Sequence, residues 1–233
     1  MQIEDPSSTS DNVVTAGEST APGRGLVELV AVMDVLRRSC PWDSEQTHRS
    51  LARYLLEETY ETLDAIESGD PDELLEELGD VLFQVLFHAR IAAEADAGAG
   101  RFDIDDVAAR LRDKLVARHP HVFASDTPGG SARTSEEVRA RWEELKAVEK
   151  SSRSSVLDGL PLGMPGLALA DKLVGRAQSV RVDVGQVALE AWGIGGQLLQ
   201  LVMRARAAGV DPEQAMRDAN QLLVHAIEDT ETR

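Results

Sequence analysis

The chain has 233 residues, 42% of them hydrophobic and 28% charged, the composition of a folded protein of one or two domains rather than a disordered or fibrous one. Asp and Glu outnumber Lys and Arg by 41 to 24, a formal net charge of −17, which disfavours partnership with nucleic-acid duplexes or anionic membranes. The single cysteine, Cys40, excludes a disulfide framework and a Cys-rich zinc site, and no apolar run reaches the ~18 residues of a membrane span.

The elements are predicted in chain order as follows. Residues 1–24 are rich in Ser, Thr, Gly, Pro and acids, and a disordered tail is expected. They lack the basic and apolar regions of a signal peptide, so a cytoplasmic location is expected. From Leu26 the pattern is helical: Leu29, Val32, Met33 and Leu36 share one face, and Pro41 is expected to close the segment. A second helix is predicted from about Gln46 to Glu67, with Leu51, Leu55, Leu56, Tyr60, Leu63 and Ile66 as its apolar side. Gly69 suits a helix C-terminus, Asp70 an N-cap and Pro71 a first helical position. Glu73 stands where a capping box places its acid. Two antiparallel helices are therefore expected to meet at this turn. The third helix, from Pro71 to about Ala97, becomes apolar on most sides after Asp80, as a helix does within a bundle or a subunit interface. A fourth is predicted from Ile104 to Arg118, a loop over 124–135, and a further helix from Ser135 to about Lys150. Residues 151–166 are predicted as a linker and residues 167–233 as helical. Nothing alternates with period two, so the fold class is all-α.

From Tyr54 to Ala89 there is no Lys or Arg, while eleven acids fall between Tyr54 and Asp80. A solvated helix face is one reading of such a run. The spacing suggests another. Glu57 and Glu61 stand four apart, Glu58 and Glu61 three apart, and Glu77 and Asp80 three apart, so each pair shares a face. Glu61 and Glu77 lie equally far from Gly69, as do Glu58 and Asp80, so a hairpin brings them level. Carboxylates gathered in this way repel one another, and a hard divalent cation with oxygen ligands relieves the repulsion. All-carboxylate ligation suits Mg²⁺ or Mn²⁺. The Glu-x-x-His pairs of di-iron bundles are missing, because Glu61, Asp64 and Asp80 occupy the positions where such histidines would stand. His88 reads as a core or interface histidine, and His119 and His121 lack zinc-site spacing. A cation in an acidic cage points to phosphate chemistry, with Lys114, Arg118 and Arg112 as candidate phosphate contacts. Cys40 reads as a packing residue, Trp192 likewise, and Trp42 as either core or pocket.

Cys40-Pro41-Trp42-Asp43, LLEETYE (55–61), LLEELGDVLFQVLFHAR (74–90), KLVARHPHVF (114–123) and Arg141-Trp142-Glu143 together resemble the MazG family of the all-α NTP-pyrophosphatase superfamily. The resemblance implies a helical bundle completed by dimerisation. It implies hydrolysis of NTPs and dNTPs to the monophosphate and pyrophosphate with Mg²⁺, plausible as nucleotide-pool house-cleaning. By the same resemblance, Glu58, Glu61, Glu77 and Asp80 are the expected metal ligands. Glu57 is a further catalytic acid that orients water or serves a second ion. Tyr54, Glu73, Lys114, Arg118, Trp142 and Trp42 are the expected substrate contacts. Residues 25–150 are then the catalytic domain. Residues 167–233 read as a degenerate second copy with Gly193 at the Glu77 position, Gly196 at the Asp80 position and no metal site. Two other functions fit the same residues less fully: a non-catalytic helical dimer acting as a regulatory module, and a sister enzyme acting on dUTP or phosphoribosyl-ATP.

Overall fold

The computed structural model describes residues 23–96, 98, 100–123, 134–138, 155–191 and 193–232. Of the tail expected over residues 1–24, residues 1–22 lie outside the described residues, as do Trp142, Trp192 and the predicted helix beyond residue 138; Gly23 and Arg24 belong instead to the start of the first helix, with Gly23 at its N-cap and Arg24 its first residue. The chain forms two compact units, Met1–Ser131 and Ala132–Arg233. All regular structure among the described residues is helical.

The first unit runs α1 (Arg24–Ser39), α2 (Pro41–Glu45), α3 (His48–Ser68), α4 (Pro71–Ala92), α5 (Ile104–Arg118) and α6 (Pro120–Phe123). Pro41 ends α1 as expected, but it also opens α2, because its fixed φ suits a first helical position. Thr47 caps α3: its side chain accepts from the Ser50 N–H, and the Ser50 side chain accepts from the Thr47 N–H. The predicted antiparallel hairpin of α3 and α4 is present and is the most closely packed pair of the unit. At its tip Gly69 has φ 72°, a left-handed conformation that glycine adopts at least cost. Asp70 Oδ1 accepts from the N–H groups of Asp72 (2.8 Å) and Glu73 (3.4 Å). Glu73 does not reach back to Asp70 as a capping box would. It accepts instead from Ser68 Oγ at 2.8 Å and ties the two arms together.

The core is built on Met33, Leu51, Leu86 and Phe87, with Leu29, Leu36, Tyr54 and Leu82 packed around them. Phe87 and Leu51 are fully enclosed, each contributing roughly 2–3 kcal/mol by burial. The expected apolar side of α3 is buried only in part. Leu51 is inside, but Leu55, Leu56, Tyr60 and Ile66 are exposed, as are Leu75, Leu78 and Val85 of α4. Val32 of α1 is exposed as well. These apolar side chains stand exposed on α1, α3 and α4.

The second unit runs α7 (Gly166–Ser179), α8 (Val184–Glu190), α9 (Gly193–Ala207) and α10 (Pro212–Glu231). The predicted linker ends in a turn that buries Leu160. Glycines set the helix spacing here. A Cβ on Gly196 would stand 2.3 Å from the carbonyl oxygen of Ala188, so α8 and α9 touch backbone to backbone. Gly175 lies under the guanidinium of Arg206, which bonds both oxygens of Asp171 at 2.9 and 3.0 Å. Gly196→Ala is therefore expected to destabilise this unit by about 1–3 kcal/mol. Gly195→Ala, where a Cβ meets nothing within 4 Å, is the control and should be neutral or mildly stabilising. Urea unfolding of the two variants distinguishes these outcomes.

Candidate active site

The hairpin places the acids. Glu58 on α3 and Glu77 and Asp80 on α4 are each half-buried, and an oxygen from each lies within 4.8 Å of the other two. Thr62 locks the arms at this level: its hydroxyl donates to the Glu58 carbonyl at 2.7 Å and lies 3.4 Å from that of Glu77. Glu61 is exposed, one turn along, within hydrogen-bonding reach of the Glu58 carboxyl. Burial, the hydrogen bond with Glu61 and the charges of Asp80, Glu61 and Glu77 push the Glu58 carboxyl up to about 7. Glu77 is also raised, by desolvation first and then by the charges of Glu61, Asp80, Glu76 and Glu73. Among the described residues, the charges that shift these two groups are all negative. A set of hard oxygen donors under mutual repulsion fits a divalent cation. It is the one such group of three or more metal-binding side chains among the described residues.

The other expected site residues fall in four places. Glu57 is exposed and is not one of the trio, and its charge acts on Arg53. Glu73 closes the hairpin tip. Trp42 and Tyr54 stand together one turn before Glu58, their rings 5.9 Å apart at 71°. Trp42 also meets Phe87 edge-on at 6.4 Å, yet keeps 47% of its surface exposed. It is thus both a core neighbour and an open aromatic wall. Lys114 and Arg118 lie one turn apart on α5. Lys114 lines an open cavity of about 390 Å³ with Phe102, Asp106, Val107, Arg110 and Leu111. Arg112, the third candidate cation, pairs with the adjacent Asp113 at 2.7 Å.

Arg53 escaped the sequence reading. Its guanidinium sits 4.3 Å from the centre of the Tyr54 ring and donates to the Tyr54 hydroxyl. The available signal was its position as the last cation before the acidic stretch. His88 does not join the acids. Its Nδ1 lies 2.7 Å from His48 Nδ1, with the two rings nearly parallel, so it links the start of α3 to α4. In the second unit, Gly196 occupies the place where the sequence comparison of the two halves expected the counterpart of Asp80. The contact with Ala188 leaves no room there for any side chain.

Comparison with known proteins gives a consistent result. The family model described as the MazG nucleotide pyrophosphohydrolase domain matches residues 46–123, which span the whole hairpin. A Streptomyces cacaoi protein described as an uncharacterised 26.1 kDa protein in the blaB 3′ region is 49% identical over 211 residues, 91% of this chain and 84% of that one. The nucleoside triphosphate pyrophosphohydrolase of Mycolicibacterium smegmatis is 49% identical over 211 residues, 90% of this chain and 60% of that protein. The protein of the same description from Escherichia coli K12 is 42% identical over 200 residues, 84% of this chain and 73% of its own.

Proposed function

Because the chain belongs to the MazG family, we propose that it hydrolyses nucleoside triphosphates to the monophosphate and pyrophosphate with Mg²⁺. The observation that carries this reading is the convergence of Glu58, Glu77 and Asp80 from the two arms of the hairpin. Relatives that share most of the chain are described as nucleoside triphosphate pyrophosphohydrolases.

Glu58, Glu77 and Asp80, joined by Glu61, are the residues that would hold the ion. Bound there, a divalent cation supplies neutralisation of phosphate charge and a lowered pKa for nearby water. The chain's own groups do the rest. Glu58, whose carboxyl is raised to about 7 in the ion-free cluster, must give up its proton to serve as a ligand. Glu57 lies on the same arm as a further acid for orienting the attacking water. Lys114 and Arg118 are assigned to non-bridging phosphate oxygens, and Trp142 to the nucleotide. Trp42 and Tyr54 offer the exposed aromatic wall on which a base stacks, an interaction worth roughly 1–3 kcal/mol. In the reaction, water oxygen bonds to the α-phosphorus as the bond to the bridging oxygen breaks. Pyrophosphate leaves and a proton is released.

The exposed apolar side chains of α3 and α4 suit a second copy of the chain, so the working form is proposed as a homodimer. No described helix is long and apolar enough to cross a membrane, and the proposal puts the enzyme among cytoplasmic nucleotide pools, in a house-cleaning role. The test is product analysis with a dNTP and Mg²⁺. Monophosphate and pyrophosphate in equal amounts are expected. Orthophosphate as the first product contradicts the reading.

A further inference from the structure

Arg37 on α1 joins three separate segments of the first unit. Its Nε and Nη2 donate to the two oxygens of Glu94, each at 2.8 Å, in a bidentate fork. Its Nη1 donates to the carbonyls of Asp43 and of Gln46, the latter at 3.0 Å. Only 9% of the Arg37 side chain is exposed. Glu94, in the turn after α4, is held from its other side by Arg90 at 3.0 Å, and Arg90 is held in turn by Asp34. Through this pairing the Arg37 guanidinium holds the Glu94 carboxyl below the usual carboxylate range.

The carbonyls that Arg37 grips belong to α2 and its C-cap. A helix of five residues does not support itself, and of its last carbonyls that of Asp43 accepts one backbone bond, from the Gln46 N–H at 3.3 Å. Arg37 takes those of Asp43 and Gln46, while the Gln46 side chain takes that of Trp42 at 2.9 Å. Trp42 is carried on this small element, and its ring is the exposed aromatic wall beside Tyr54. The ion pair, enclosed on the Arg37 side and open on the Glu94 side, anchors the Arg37 fork, whose remaining hydrogens hold the backbone of α2.

We infer that the Arg37–Glu94 clamp is a positioning device for nucleotide binding, which sets α2 so that Trp42 stands where the substrate's base stacks. The inference rests on the proposed function and adds to it a specific dependence of substrate affinity on two residues outside the pocket. Arg37 and Glu94 touch no substrate; they act through Trp42.

The test is steady-state kinetics of the full chain with a dNTP and Mg²⁺, together with a double-mutant cycle. Arg37→Lys removes the planar fork, because an ammonium cannot serve one carboxylate and two carbonyls in this geometry. Glu94→Gln is the milder second variant, which keeps a hydrogen-bond acceptor and loses the charge. Each is expected to raise KM by about fivefold to tenfold with kcat within about twofold, the signature of lost binding shared by ground and transition states. In a Trp42→Ala background neither variant should raise KM further. A fall in melting temperature with KM unchanged in both variants overturns the proposal and leaves the clamp as a structural staple. A further rise of KM in the Trp42→Ala background also overturns it, since the effect then bypasses Trp42. If Trp42→Ala itself leaves KM unchanged, the base-stacking role fails at its source and the clamp proposal falls with it. An unchanged KM in the clamp variants alone leaves that role standing.

Discussion

Glu58→Gln and Asp80→Asn are each expected to lower pyrophosphate release by at least about a thousandfold while raising the melting temperature of the metal-free protein by a few degrees. The two effects have one cause. Without a cation, Glu58, Glu77 and Asp80 crowd within 4.8 Å of one another, and desolvation adds to their repulsion. A carboxamide at Glu58 removes one charge and supplies N–H donors to its neighbours, so the fold gains. The ion loses a ligand in the same step, so turnover fails. A surface acid with no metal duty predicts the opposite pattern, activity kept and stability barely moved. Calorimetry without metal and a pyrophosphate assay with Mg²⁺ read the two quantities separately. Full activity in both variants removes these carboxylates from the site. A lower melting temperature in both shows that the acids do not strain one another.

Much of this site is written in local sequence signals. The Gly69-Asp70-Pro71 punctuation marks the hairpin turn, and equal spacing from Gly69 puts Glu58 opposite Asp80 and Glu61 opposite Glu77. The observed trio draws on both pairs. Spacing along a helix cannot decide how far each side chain leans into the seam, which is why Glu61 stands exposed at the edge of the cluster and Glu57 lies outside it. Apolar periodicity marks a face of α3 but not what covers it, so Leu56, Tyr60 and Ile66 belong to its apolar side and yet stand exposed. Pro41 carries a double meaning that sequence leaves open: the same ring that stops one helix can start the next. The contacts that escaped prediction are those between distant residues. Arg37 and Glu94 are 57 positions apart, and His48 and His88 are 40 apart. No pattern within a window of one or two helices encodes either pair. The glycines of α9 were legible as missing acids, yet only the contact between Gly196 and Ala188 explains why no side chain could return there.

Stability without metal is expected to fall as pH rises through about 7, and added Mg²⁺ is expected to cancel that fall. The carboxyl of Glu58 is raised from an ordinary 4.5 to about 7 in the folded protein, and Glu77 shifts the same way. A raised carboxyl binds its proton more tightly in the folded state than in the unfolded chain. The contribution is therefore fully present below about pH 4.5, where both states are protonated. It is lost as pH climbs to about 7, where the folded protein must accept a charge on the half-buried, acid-flanked Glu58. Metal reverses the sign of the pH dependence, because the ligand form is the carboxylate and protons compete with the ion. Mg²⁺ affinity should therefore weaken as pH drops below about 7, and turnover at limiting Mg²⁺ should drop with it. Saturating Mg²⁺ should move the acidic limb of the rate profile to lower pH. Melting curves from pH 5 to 8, with and without Mg²⁺, test both halves together. Glu58→Gln is expected to flatten most of the metal-free slope. A slope that persists unchanged in that variant would assign the titration to other groups and detach Glu58 from the acidic limb.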